Sequence, residues 1–94
     1  MAKVDADSVV RRHPDLPYRV VDDEVVMLDL DQGKYFGLDS VGSRIWELAE
    51  QPVSVGDLCT RLLEEFDVSA EQCLEDVLGF LEQMVEHELV EVVS

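Results

Sequence analysis

Basic residues are scarce in this sequence: seven Lys and Arg stand against 22 Asp and Glu in 94 residues, a formal net charge of -15. Phosphate binding works by displacing counterions with Lys and Arg, so this balance argues against a nucleic-acid partner. Anionic membrane surfaces are disfavoured for the same reason. Long apolar runs are missing too. The longest, Val25 to Leu28, is four residues, where a membrane span needs about 20. The start of the chain (Met1, Ala2, Lys3, Val4, Asp5) has no apolar stretch of the secretory kind. The expectation is one acidic, soluble, cytoplasmic domain that engages neither nucleic acid nor membrane.

Soft ligands and reactive groups are equally thin. Two cysteines (Cys59, Cys73) and two histidines (His13, His87) are too few and too scattered for a disulfide framework or a zinc site. Both cysteines read as small buried hydrophobes in a reducing compartment. Neither has a plausible base beside it, since His13 falls near the start and His87 at the end of a helix. The five glycines (Gly33, Gly37, Gly42, Gly56, Gly79) are dispersed and build no phosphate-cradling loop. No catalytic residue, metal site or cofactor is expected, and the chain does not read as an enzyme.

What is present is a change of period. Residues 1–17 hold Arg11 and Arg12, and Pro14 and Pro17 break regular structure there, so they read as a loose arm. From Tyr18 the period is two: Tyr18 to Val21, a turn at Asp22-Asp23, then Glu24 to Leu30. A hairpin loop at Asp31-Gln32-Gly33 leads to a third strand, Lys34 to Leu38. At Asp39-Ser40, either of which suits a helix cap, the period becomes helical. Val41, Ile45 and Leu48 make the stripe, with Trp46 beside it as a core anchor, and Gln51-Pro52 stops the helix. Ser54 with Asp57 opens a second helix, striped by Leu58, Leu62 and Phe66. Ser69 with Gln72 opens a third, running to about His87. The pairs Leu89-Val90 and Val92-Val93 pack back or form a short terminal strand.

The third helix carries an unusually wide apolar arc. Cys73, Leu74, Val77, Leu78, Phe80, Leu81, Met84 and Val85 fill roughly 160° of it, opposite Glu71, Glu75, Asp76, Glu82, Gln83, Glu86 and His87. Either the core buries both edges of that arc, or one edge lines an open groove beside the sheet. In a simple meander the third strand lies at a sheet edge, which is a template for an incoming peptide strand. Gly37 leaves the backbone there approachable. A peptide-binding module follows more naturally than an enzyme.

The run Met27-Leu28-Asp29-Leu30-Asp31-Gln32-Gly33-Lys34-Tyr35-Phe36-Gly37-Leu38-Asp39, followed by Val41-Gly42-x-Arg44-Ile45-Trp46-Glu47-Leu48, resembles the PqqD-like family. Its members are precursor-peptide recognition elements for ribosomally made, post-translationally modified peptides (RiPPs). Later segments agree: Val53-x-Val55-x-x-Leu58, Glu64-Glu65-Phe66-Asp67-Val68, Asp76-Val77-x-x-Phe80-Leu81-x-x-Met84 and Leu89-Val90. The resemblance covers about residues 18–93; where Met84 stands the family more often has Leu, of similar volume.

It implies an α+β, winged helix-turn-helix-like fold, a three-stranded antiparallel sheet followed by three helices. It also implies that a leader peptide adds as a strand along the third strand and packs on the third helix. The hairpin is more similar to stand-alone proteins of lasso-peptide pathways, which hand the precursor to a transglutaminase-like cysteine leader peptidase. A chaperone for another modified peptide or a quinone-cofactor pathway, working with a radical SAM enzyme, is the alternative. A winged-helix DNA-binding protein is the distant one. The expected peptide contacts are Lys34, Tyr35, Phe36, Gly37 and Leu38 on the strand, with Cys73, Asp76, Val77 and Phe80 on the helix. The opposite helix edge (Leu74, Leu78, Val85) stays open as a substitute wall.

Overall fold

In the computed structural model, which describes residues 4–13, 18–29 and 33–93, the alternating segments after Tyr18 form an antiparallel meander. Numbered along the whole chain, its strands are β2 (Tyr18–Val21), β3 (Glu24–Asp29) and β4 (Lys34–Gly37), so the expected third strand is β4. Asp22 and Asp23 connect β2 to β3 with φ of 52° and 68°. Positive φ at both central residues is the signature of a hairpin turn that follows the sheet's twist, and Asp tolerates that region better than most residues. Gly33 (φ 66°) ends the β3–β4 connection; the rest of that expected loop, and Leu30, lie outside the described residues.

The three helices stand where their caps put them. Asp39 caps α1 (Ser40–Leu48), its side chain accepting from the Gly42 amide at 2.8 Å. Ser54 caps α2 (Val55–Glu65) through the Asp57 amide at 3.0 Å, and Ser69 caps α3 (Ala70–Glu86) through the Gln72 amide at 3.2 Å. Each such cap satisfies an otherwise orphaned helical donor and is worth about 1 kcal/mol. Arg44 on α1 donates from Nε to both carboxylate oxygens of Glu65 at 2.8 and 3.0 Å. That bond to Glu65 holds the arginine proton more tightly still and ties α1 to the end of α2.

The expected loose arm is corrected at its centre. Val9–Arg12 is a strand, β1, and the middle one of a second antiparallel sheet, between β5 (Val53–Ser54) and β6 (Val90–Val92). Val10 is fully buried, and Val4 is buried with it. Arg11 pairs with Glu91 across the β1–β6 ladder. Two valines next to two arginines carry too little period to announce a strand; both partners are distant in the chain, and they supply the order. The terminal residues accordingly pack back as the strand β6.

The core lies where the meander, the helices and this second sheet meet: Val10, Val25, Met27, Ile45, Trp46, Leu58, Leu62, Val77, Leu81, Leu89 and Val90. Trp46 is the expected anchor, 1% exposed. The Tyr18 ring stands edge-on to it at 5.9 Å, and the Arg12 guanidinium lies 5.0 Å from the Tyr18 ring and 5.3 Å from the Trp46 ring. This stack joins β1, β2 and α1, adding cation–π attraction to burial. Among the described residues, no helix is long and apolar enough to cross a membrane.

Candidate functional site

β4 is the last strand in the order β2-β3-β4, so one of its sides has no strand beside it among the described residues. The ladder decides which main-chain groups face that side. The Leu38 amide donates to the Val25 carbonyl at 2.8 Å. In an antiparallel pair alternate residues turn toward the neighbour. With Val26 opposite Gly37 and Leu28 opposite Tyr35, the main-chain groups of Lys34, Phe36 and Leu38 therefore turn to β3. Those of Tyr35 and Gly37 turn outward. Of the five strand residues expected to offer backbone bonds, the register leaves these two.

Ser43 locks the end of this ladder. Its buried hydroxyl accepts from the Val25 amide at 2.8 Å and donates to the Leu38 carbonyl at 3.2 Å, bridging the two groups. β4 is thereby fixed to α1.

A crevice of about 390 Å³ opens between β4 and α3, lined by Tyr35, Gly37, Leu38, Asp39, Phe80, Gln83 and Met84. Leu38 and Met84 form buried parts of its wall, Phe80 is half-buried, and Tyr35 is 73% exposed. A Cβ built at Gly37 meets no described atom within 4 Å, so the fold itself does not require glycine there; the bare backbone simply leaves the edge approachable. A second crevice also reaches Gly37, Leu38 and Asp39, and is bordered by Asp22 and Glu24.

Four of the expected residues thus meet at the crevice: Tyr35, Gly37, Leu38 and Phe80. Lys34 is exposed on the same strand. Cys73 and Val77 are not part of the lining; at 3% and 0% exposure they belong to the core, with Cys73 Sγ directed at the Cys59 carbonyl, 4.0 Å away. Asp76 is exposed and accepts from Gln72 Nε2 at 2.8 Å. The alternative edge (Leu74, Leu78, Val85) packs against the core as well. Gln83 and Met84 were not among the expected residues, although their spacing of three and four from Phe80 places them on its helical face.

The electrostatics are one-sided. Glu71, Glu75, Glu82 and Glu86 are exposed along α3, while Arg11, Arg12 and Arg44 are engaged by Glu91, Glu50 and the Glu47/Glu65 pair. Burial pushes the Cys59 thiol up to about 11, reinforced by the neighbouring Cys73, so it stays protonated near neutral pH. A protonated thiol is a poor nucleophile and a poor metal ligand. Among the described residues, no group of three His, Cys, Asp or Glu side chains is placed to hold a metal ion.

A small α+β domain with an open strand edge and a crevice between that edge and a helix has the form of a peptide-recognition module. Residues 24–90 match the family model for coenzyme PQQ synthesis protein D (PqqD), and the chain belongs to that family. It is similar to TbiB1, solved in complex with the TbiA(beta) leader peptide: 36% identity, covering 86% of this chain and 94% of that one, with a TM-score of 0.76. A lasso peptide synthetase B1 complexed with its leader peptide shares the fold at 21% identity, covering 87% and 96% of the two chains, TM-score 0.75. So does the PqqD part of Methylobacterium extorquens PqqCD, described as a functional, stand-alone RiPP recognition element, at 18% identity and 94% of both chains, TM-score 0.77. Comparison with curated proteins gave no match.

Proposed function

We propose that this protein binds the leader segment of a ribosomal precursor peptide as an added strand on β4, in lasso-peptide biosynthesis, and presents it to a separate leader peptidase. The observation that carries this is the outward main chain of Tyr35 and Gly37 beside the crevice of Leu38, Phe80 and Met84. Main-chain bonds supply affinity in this mode, and pockets for alternate side chains supply selectivity. The leader-peptide complex of the 36% identical TbiB1 supports the same assignment.

The partner enzyme is a transglutaminase-like cysteine peptidase acting in the cytoplasm, and this chain itself does no chemistry. Its contribution is effective concentration. Holding leader and peptidase together makes their encounter nearly intramolecular, a gain of about 10²–10⁴ in apparent affinity. DNA binding is disfavoured by the exposed glutamates of α3, which would face the phosphates.

Fluorescence polarisation of the labelled cognate leader peptide tests the proposal, without peptidase or nucleotide. Saturable binding is expected. Its absence up to about 100 μM, near -5.5 kcal/mol, would overturn it.

A further inference from the structure

Gly42 lies in the first turn of α1, is buried, and donates its amide to Asp39 Oδ1 at 2.8 Å. Its φ is not positive, so the backbone does not ask for glycine, and in a helix glycine is less favourable than alanine. Space is what asks for it. A Cβ built at Gly42 would stand 3.0 Å from Phe80 Cε1, 3.2 Å from Asp39 Oδ1 and 3.4 Å from Leu38 Cβ. All three of those residues line the crevice, although Gly42 does not. The contrast with Gly37 and Gly79, where an added Cβ meets no described atom within 4 Å, marks Gly42 out.

We propose that Gly42 sets the depth of the β4–α3 crevice by letting the Phe80 ring lie back against α1, and so admits one bulky apolar side chain from the added strand. The inference rests on leader binding at β4. Gly42 is a positioning residue: it acts through Phe80. A methyl group at this position moves the ring by a few tenths of an ångström toward its open side. That side is the crevice, bounded otherwise by Leu38 and Met84, with Tyr35, Asp39 and Gln83 at its polar parts. A bulky apolar side chain seated on Leu38, Phe80 and Met84 gains burial there.

The test uses the full chain and the same cognate leader peptide as probe, with a set of its single alanine variants. Gly42→Ala is expected to weaken binding by about tenfold or more, the scale of one misplaced methyl-sized group in an apolar pocket. The loss should shrink for the one peptide variant whose bulky apolar residue has been truncated. In a Phe80→Leu background the further loss caused by Gly42→Ala should vanish, because the smaller side chain returns the space; coupling of this kind is what a double-mutant cycle detects.

If Gly42→Ala does not fold, the double variant decides: folded and binding as well as Phe80→Leu alone supports the role, unfolded or binding more weakly than Phe80→Leu overturns it. Equal binding by parent and Gly42→Ala, or an equal loss for every peptide, overturns the role of Gly42 and leaves leader binding standing. No binding by the parent overturns both.

Discussion

The Leu38 amide donates to the Val25 carbonyl at 2.8 Å, and this one bond sets the phase of the whole β4 edge. Shifting the phase by one residue would turn Tyr35 and Gly37 toward β3 and expose Lys34, Phe36 and Leu38 instead. Two substitutions one residue apart should therefore behave differently.

Gly37→Pro removes an amide that faces outward, so the domain should stay folded while leader binding falls. The loss of one main-chain bond, with its partner left unpaired on the peptide, costs about 1–3 kcal/mol, or roughly 5- to 150-fold in affinity. Phe36→Pro removes an amide of the β3–β4 ladder and should destabilise the domain itself. Circular dichroism melts read beside polarisation titrations separate the two outcomes.

Helix α3 divides between core and crevice. Val77→Ala should cost roughly 1–3 kcal/mol of stability through the cavity it leaves, with little change in leader affinity for the folded fraction. Phe80→Ala should cost less stability, since the ring is half-buried, and weaken binding by about tenfold or more. Urea denaturation and titration of the same samples check both.

Ser43→Ala strands the Val25 amide and the Leu38 carbonyl, which share its hydroxyl. Each buried group left unsatisfied costs about 1–3 kcal/mol. The expected result is a lower denaturation midpoint and faster hydrogen exchange at the Val25 amide.

The thiols should be quiet. With Cys59 raised from an ordinary 9.0 to about 11, alkylation by iodoacetamide should be slow near neutral pH and accelerate only as pH approaches 11. The sign for stability follows. A raised folded pKa favours the protonated thiol, so this contribution is complete below about pH 9 and is lost between 9 and 11. Replacing Cys59 and Cys73 with Ala or Ser in a variant that stays folded should leave stimulation of the partner peptidase largely intact; its loss would reveal a catalytic thiol.

The meander was legible because Val25 and Met27 alternate with residues of the other face and Asp22-Asp23 marks the turn. The helices were legible because Asp39, Ser54 and Ser69 cap them. Periodicity also found the apolar arc of α3. It could not say which part of that arc α2 covers, so Cys73 and Val77 read the same as Phe80 although they lie in the core. β1 stayed hidden because its order comes from Val53-Ser54 and Val90–Val92, pairings that no local pattern announces. The outward phase of Tyr35 and Gly37 depends on a hydrogen bond, and so needed coordinates.

Amide hydrogen exchange followed by NMR, with and without the cognate leader peptide, tests strand addition most directly. Main-chain bonds from an added strand should slow exchange at the Tyr35 and Gly37 amides. Lys34, Phe36 and Leu38, already turned to β3, should change far less. A leader that binds saturably yet leaves the Tyr35 and Gly37 amides exchanging as in the free protein would show that it docks elsewhere.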